Sequence, residues 1–383
     1  MNTPKKVLAI SVLAVAAIIV LYGIRSVRLG NLNLTLRGDE LVDGLLVEQE
    51  KAGGESYLVP PNEIYDSGLS AEDIPAIDDP KFVSVTAADD VLADAVSGID
   101  IDVNGEHRFY PYQILNWHHV VNDDFGGQKL AITYCPFCRS AVVYERVLGE
   151  TELLFEASGK VYNNNFLISD RETGSLWSQM RGIGVVGEKV GETLTTYPSI
   201  VMTWAAWKAL YPNGEVLSTD TGYARDYTHH PYVDYDMSDL IYFPLNATST
   251  NLTQKWLVNG FSDSESGEHI AFSNNILSGF GAANETVGTK EITALYDFET
   301  GAIRVFDRKV GDQVLSLKYD FELDEITDLE TGSVWSASGY AISGELQGTQ
   351  LAELYAPESF WLCWYAAHPN TTVSGLATDG GLK

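Results

Sequence analysis

An internal duplication constrains the fold of this chain more than any other sequence feature. The segment Asp170-Arg-Glu-Thr-Gly-Ser-Leu-Trp-Ser178 recurs downstream as Asp328-Leu-Glu-Thr-Gly-Ser-Val-Trp-Ser336. Four more pairs recur in the same order, shifted by about 157 to 162 residues. They are Asn104–His107 with Ser266–His269, Val121–Asn122 with Ala283–Asn284, Tyr144–Arg146 with Phe306–Arg308, and Trp204–Trp207 with Trp361–Trp364. This collinearity indicates two copies of one folding unit.

The remaining segments divide the chain around the two copies. Residues 1–28 are predicted to be an N-terminal membrane anchor, because the apolar run Val7–Ile24 carries no charge and follows Lys5-Lys6. Residues 29–84 are polar and rich in helix and strand breakers, which is typical of a spacer and lead-in. Copy one is assigned to residues 85–222 and copy two to residues 223–375. The soluble part is expected outside the cytoplasm, with the membrane as a partner through the N-terminal helix.

Local patterns predict short strands joined by turns, with a few helices. The run Ile99–Tyr110 reads as a β-hairpin around Asn104-Gly105. Residues Tyr112–Val120 have helical apolar spacing, and Ser199–Tyr211 reads as a helix ended by Pro212. We therefore predict an α+β, β-rich class. Each copy would combine short strands with a C-terminal helix, and a transmembrane helix would precede both.

The charge of the chain excludes some classes of partner. The 383 residues carry a formal net charge of −29. Such an acidic chain repels nucleic acid and anionic membrane surfaces, so neither is expected as a partner. Three cysteines in a chain of this length do not form a disulfide scaffold.

Two of these cysteines form the motif Cys135-Pro-Phe-Cys138, at the end of an apolar run. Its spacing suits a metal-binding turn, a redox dithiol or a structural disulfide. Copy two reads Tyr296-Asp-Phe-Glu-Thr300 at the same place, without cysteine. Because the second copy lacks both cysteines, the fold of the unit does not require them. The motif is therefore predicted to belong to a functional site.

Histidines complete the metal interpretation. His118 and His119 lie a short way upstream, and with Cys135 and Cys138 they could bind soft Cu(I) or Zn(II). Met180 is a conceivable sulfur ligand. The second histidine pair, His229-His230, is interpreted as part of a solvated linker between the copies.

Two alternatives to metal binding remain open. In the first, Cys135 and Cys138 act as a thiol–disulfide oxidoreductase, although Ala141–Val147 after the motif is β-branched rather than helical. In the second, the chain is a surface interaction module with a structural disulfide. The Asp170–Ser178 segment is interpreted as a turn with a buried Trp177, because it recurs without the cysteines.

Taken together, these motifs resemble the domain-of-unknown-function 3179 family, whose members are mostly exported or membrane-anchored. The resemblance covers about residues 65–375. The matching stretches are Ile74–Phe82, Leu115–Asn122, Thr133–Ser140, Ala157–Lys160 with Asn163, and Asp170–Gln179. The family pattern places a histidine at His118 and cysteines at Cys135 and Cys138, whereas His119 stands where the family usually has another residue. The resemblance implies the location of a site but no established activity.

Overall fold

The computed structural model describes residues 26–29, 32–35, 50–52 and 55–376. The chain divides into one unit that covers Met1–Val47 and another that covers Glu48–Lys383. In the first unit, strands β1 (Ser26–Leu29) and β2 (Leu32–Thr35) form an antiparallel hairpin.

The second unit contains many short strands and six short α-helices among its described residues. Up to residue 217, its strands are β3 (Glu50–Ala52), β4 (Glu55–Tyr57), β5 (Tyr65–Asp66), β6 (Phe82–Ser84), β7 (Ser97–Val103), β8 (Glu106–Pro111), β9 (Val120–Phe125), β10 (Gln128–Cys135), β11 (Ser140–Glu145), β12 (Val147–Leu148), β13 (Thr151–Glu152), β14 (Phe155–Tyr162), β15 (Asn165–Asp170), β16 (Leu176–Ser178), β17 (Gly184–Val186), β18 (Ile200–Thr203) and β19 (Glu215–Leu217). The strands that follow are β20 (Leu257–Asp263), β21 (Glu268–Ser273), β22 (Ala282–Val287), β23 (Lys290–Tyr296), β24 (Ile303–Asp307), β25 (Lys309–Val310), β26 (Gln313–Val314), β27 (Leu317–Asp320), β28 (Glu325–Asp328), β29 (Val334–Trp335), β30 (Ala341–Ser343), β31 (Glu353–Leu354), β32 (Glu358–Phe360) and β33 (Thr372–Val373). The helices are α1 (Val85–Asp89), α2 (Tyr112–His118), α3 (Trp204–Leu210), α4 (Val233–Asp236), α5 (Asn274–Leu277) and α6 (Trp361–Ala367), and Pro61–Glu63 form a 3-10 turn.

The duplication is visible in the sheets. Copy one contains the sheet orders β18-β7-β8-β19-β6, β11-β10-β9 and, within a seven-stranded sheet, β17-β16-β15-β14. Copy two repeats them as β32-β20-β21-β33, β22-β23-β24-β31 and β27-β28-β29-β30. The seven-stranded sheet also takes in β3, β4 and β5, so part of the segment predicted as a spacer is structured and pairs with copy one.

Recurring local signals explain why both copies fold alike. The Nε1–H of Trp177 donates to Asp170 at 2.8 Å, and that of Trp335 donates to Asp328 at 2.9 Å. Both indole rings are buried, which confirms the turn predicted from the sequence. The Asn104-Gly105 hairpin is confirmed too. Both residues have positive φ angles, of 57° and 84°, as a type I′ turn between strands requires.

The two copies share one apolar cluster. It combines side chains of copy one, such as Phe137, Val161 and Phe166, with side chains of copy two, such as Phe360 and Trp361. Helix α6 therefore packs on the turn between β10 and β11, and this interface contains the cysteine motif.

The predicted α+β class is wrong, because the fold is mainly β. No described helix exceeds seven residues, and these helices connect strands rather than form a layer of their own. The helix predicted at Ser199–Tyr211 begins only at Trp204. Its first residues, Ile200–Thr203, pair with β7 as a strand, and the Thr203 hydroxyl caps the helix. β-branched residues favour this extended pairing.

The transmembrane helix that belonged to the predicted class falls almost entirely on residues 1–25, outside the described residues, and β1 begins at Ser26. Within the described part of the chain, no helix is long and apolar enough to cross a membrane.

Candidate functional site

The cysteine motif forms the turn of a β-hairpin. Cys135 ends β10 and lies opposite Ser140 at the start of β11. Between them the chain turns tightly, with the Cys138 amide 3.2 Å from the Cys135 carbonyl oxygen. This arrangement puts both sulfur atoms, and the Arg139 side chain that follows them, at one end of the three-stranded sheet.

Cys138 forms a disulfide with Cys363 of α6, across 225 residues of sequence. The two Cα atoms are 5.5 Å apart and both side chains are buried. The Phe360 amide also donates to the Cys138 carbonyl oxygen at 2.7 Å. The disulfide therefore joins the two copies, instead of pairing the two cysteines of the motif.

Cys135 remains a buried free thiol. Burial raises its pKa to about 11, while amide donors from Phe166, Cys138, Phe137 and Asn165 lower it. The Phe166 amide lies 3.4 Å from the sulfur. The sulfur thus serves as a hydrogen-bond acceptor inside the turn.

Copy two shows what the position of Cys135 requires. Asp297 occupies it there, and its carboxylate accepts the amides of Glu299 at 2.8 Å and Thr300 at 3.3 Å. The carboxylate and the thiol take the same backbone donors of the same turn. This equivalence supports a structural role for Cys135.

A buried polar network contacts Cys138 Sγ through the side chain of Asn165. The Asn165 amide lies 3.4 Å from Cys138 Sγ and 2.9 Å from Gln179 Oε1. Gln179 in turn donates to the Thr133 hydroxyl at 3.0 Å. Met180, considered as a sulfur ligand, is buried in the shared apolar cluster, and its amide donates to Asn165.

His118 belongs to a different network from the sulfur atoms. Its Nδ1 lies 2.7 Å from the Pro75 carbonyl oxygen, so Nδ1 donates there, and Nε2 accepts from the Tyr227 hydroxyl at 2.6 Å. Burial lowers its pKa to about 4. Both ring nitrogens therefore have partners within the protein.

His119 lies closer to the motif. It caps α2 with a left-handed φ of 57°, and its ring packs 4.6 Å from that of Phe166. Its Nε2 lies 3.2 Å from the Tyr232 hydroxyl, and burial lowers its pKa to about 3. The ring is thus held neutral among aromatic side chains.

These positions do not fit the predicted copper or zinc site. Cys138 is bonded to Cys363, and His118 already uses both nitrogens. Among the described residues, no group of three or more His, Cys, Asp or Glu side chains could hold a metal ion. The metal site stays a prediction without a matching set of ligands.

A cavity of about 310 Å³ lies beside the motif. Its walls include Tyr112, Asn116, Tyr134, Arg139 and Asp236. Tyr112 Oη, Asn116 Oδ1 and Arg139 Nε are buried without a hydrogen-bond partner. Buried polar atoms are normally paired, so three such atoms on residues of one cavity wall are unusual.

Arg139, whose Nε has no partner, also has a strained backbone. Its φ is 46°, in the left-handed region that disfavours residues with a Cβ. Copy two has Gly301 at the same place in the turn, with φ of 72°. Copy one therefore keeps an arginine where its duplicate uses the residue that suits the backbone.

Sequence reasoning missed this cavity. Arg139 was visible beside the motif, and its replacement by Gly301 in copy two was an available signal. A similar signal was available for Cys363, because it stands where copy one has Ala206. The predicted solvated linker instead supplies His229, His230 and Asp236 to the cavity wall, and no sequence pattern indicates that packing.

Comparisons with known proteins place the chain in a family. No curated protein and no solved structure matches it. Residues 71–371, which are most of the chain, match the family described as "Protein of unknown function (DUF3179)". The chain belongs to the DUF3179 family.

Proposed function

We propose that this protein is an extracytoplasmic binding protein that takes a small polar molecule in the cavity beside Arg139. The observation that carries the proposal is the wall of that cavity, where the charged Arg139 and Asp236 lie beside Tyr112, Asn116 and Tyr134. A cavity wall that combines charged, polar and aromatic side chains is typical of a small-molecule site.

The disulfide supports the compartment and the mode of action. Disulfides persist in oxidising surroundings, so a buried Cys138–Cys363 bond suits a location outside the cytoplasm. By joining α6 to the turn that carries Arg139, it also limits movement of the cavity wall. A rigid wall lowers the entropic cost of binding.

The thiol–disulfide oxidoreductase has less support. Catalytic thiols are accessible and have a lowered pKa. Cys135, Cys138 and Cys363 are at most 1% exposed, and burial raises the pKa of Cys135 to about 11.

A ligand screen with matched variants tests the proposal. The full chain is screened by thermal shift against small polar metabolites, beside Tyr112→Phe, which removes only the unpartnered hydroxyl. A ligand at a hundredfold its Kd stabilises the folded state by about 2.7 kcal/mol. We expect at least one compound to stabilise the wild type and to bind Tyr112→Phe more weakly. Tyr340→Phe, at an exposed tyrosine, is the control and should behave as wild type.

Two outcomes of this screen would contradict the proposal. If no compound stabilises the wild type, or if every stabilising compound binds Tyr112→Phe as tightly, the cavity is not the binding site.

A further inference from the structure

The carboxylate of Asp236 lines the cavity beside Arg139 without a hydrogen-bond donor from the protein. Asp236 is the last residue of α4 and forms part of the cavity wall. Its side chain is 26% exposed, so a ligand can reach it. Among the described residues its oxygens accept no hydrogen bond, and its one ion-pair contact joins Oδ2 to His230 Nε2 at 4.0 Å. This carboxylate therefore keeps free acceptor positions.

Other carboxylates of the protein receive donors from the fold. Asp123 accepts from the Tyr110 hydroxyl at 2.6 Å, and Asp100 accepts from Trp207 Nε1 at 2.6 Å. Those two side chains are buried, and each is satisfied inside the protein. At Asp236 the donors come from outside the fold, from water or from a ligand that displaces the water.

Negative charge exceeds positive charge around the cavity. Arg139 interacts with two carboxylates, those of Glu358 and Asp236. Near Asp236, Lys255 and Asp239 add one charge of each sign. With the histidines counted as neutral, three carboxylates therefore act against two basic groups, and one negative charge is in excess. Burial also raises the pKa of the Asp236 carboxyl, because its ionised form lacks compensation. The local field favours a cation.

The rest of the reachable wall limits the size and the charge of the ligand. The cavity has a volume of about 310 Å³. Val96 and Gln113 are half-buried in its wall, and Thr228 is exposed there. Of the described lining residues, Asp236 alone carries a carboxylate, which suits one ammonium group. A second ammonium group would meet the guanidinium of Arg139, which repels it.

We propose that the cavity binds a small monoamine whose ammonium group donates to the Asp236 carboxylate. This inference rests on the proposed function and names its class of ligand. The ammonium group supplies the N–H donors that the carboxylate lacks, and the apolar part of the molecule packs on Val96. Hydrogen bonds between charged groups are shorter and stronger than neutral ones. An alcohol of the same shape should therefore bind more weakly.

Calorimetric titration of the full chain with three amines tests this inference. Butylamine, ethanolamine and benzylamine are each compared with the alcohol that has a hydroxyl in place of the ammonium group. The titrations are done at about pH 8, where the amines are protonated. We expect at least one amine to bind roughly tenfold more tightly than its alcohol, because only the amine forms a charged hydrogen bond.

Variants at two aspartates locate the effect. Asp236→Asn removes the charge and should abolish the preference for the amine, whereas Asp236→Glu keeps a carboxylate and should retain part of it. Asp239→Asn is the matched control, because it removes an exposed carboxylate just after α4 that does not line the cavity, and it should keep the preference. Thermal unfolding checks that each variant is folded.

A comparison on the wild type alone keeps the test independent of the folding of any variant. Butylamine should bind more tightly than 1,4-diaminobutane, because the second ammonium group meets Arg139. Tighter binding of the diamine would overturn the ligand with a single charge. Tighter binding of Nα-acetyl-lysine amide than of butylamine would assign the ammonium group to a protein partner and overturn the free amine.

The outcomes separate this inference from the proposed function. If no amine binds more tightly than its alcohol, or if Asp236→Asn keeps the preference, the monoamine is wrong. A neutral or acidic ligand from the wider screen would still leave the binding function standing. If no compound of any charge binds, both proposals fail.

Discussion

The left-handed backbone of Arg139 gives a prediction that separates a functional side chain from a structural one. We compare Arg139→Gly with Arg139→Ala, because both remove the side chain but only glycine relieves the backbone. At φ of 46°, a Cβ destabilises the folded state by about 1–2 kcal/mol. The greater entropy of glycine in the unfolded state offsets roughly 0.5–1 kcal/mol of that difference. Arg139→Gly should therefore be more stable than Arg139→Ala by about 1 kcal/mol.

Chemical denaturation measures this difference, with the free energies of unfolding taken from urea titrations at one pH. Both variants lose the Ser97 hydrogen bond and the field of the guanidinium, so these effects cancel in the comparison. Arg171, whose backbone is not left-handed, is the control position. There glycine should be less stable than alanine. Equal stability of the two Arg139 variants, or a more stable alanine, would refute the backbone argument.

Three further predictions concern the cysteines and histidines. Reduction of the Cys138–Cys363 disulfide, or Cys363→Ala, removes a cross-link across 225 residues and should lower the free energy of unfolding by up to about 5 kcal/mol in urea titrations. A loss below about 1 kcal/mol would contradict a stabilising role of this disulfide. Cys135→Ala leaves amide donors without an acceptor and should destabilise the fold by about 2 kcal/mol, whereas Cys135→Ser keeps an acceptor and should destabilise it less. The reverse order in thermal unfolding would count against the equivalence of Cys135 and Asp297 as acceptors in their turns. His118 and His119 have pKa values lowered to about 4 and 3, so below about pH 6.5 the unfolded chain takes up protons on these rings that the folded chain does not. From pH 7 to pH 5 we therefore expect the free energy of unfolding to fall by up to about 4 kcal/mol in urea titrations. A free energy of unfolding that does not change with pH in that range would show that the rings are not buried and neutral.

Local signals predicted the parts of the fold that depend on local chemistry. The Asp170 and Asp328 turns repeat because an aspartate and a buried indole seven residues later form the same hydrogen bond. The Asn104-Gly105 hairpin follows from two residues that tolerate positive φ. The sequence also showed that the cysteine motif distinguishes the copies, because copy one has these cysteines and copy two lacks them; a functional site at the motif stays a prediction.

The missed features depend on contacts between distant segments. Helix lengths in this chain are set by strand pairing, as at Ile200–Thr203, so helical periodicity overstated the helical share. The partner of Cys138 is far away in sequence, and only the packing of α6 on the turn brings Cys363 to it. Likewise, His118 fitted a metal site by proximity along the chain, but Pro75 and Tyr227 occupy its nitrogens in space.

For the same reason, the sequence could not show whether the guanidinium of Arg139 has an ion partner. Whether a guanidinium has an ion partner depends on every element around it, including α4 and the segment before it that were read as a linker. Backbone strain at the residue is equally a property of the folded turn. The contrast with Gly301 was readable from the duplication, but the φ angles of the two residues are known only from the structure.

The most direct test of the central claim, that the cysteine motif joins the two copies through Cys138 and Cys363, is a disulfide map of the full chain. The protein is denatured in acid without reductant, its free thiols are alkylated, and the linked peptides are identified by mass spectrometry. The structure predicts a peptide pair linked through Cys138 and Cys363, with the alkyl group on Cys135 alone. A bond between Cys135 and Cys138, or alkylation of all three cysteines, would contradict the account.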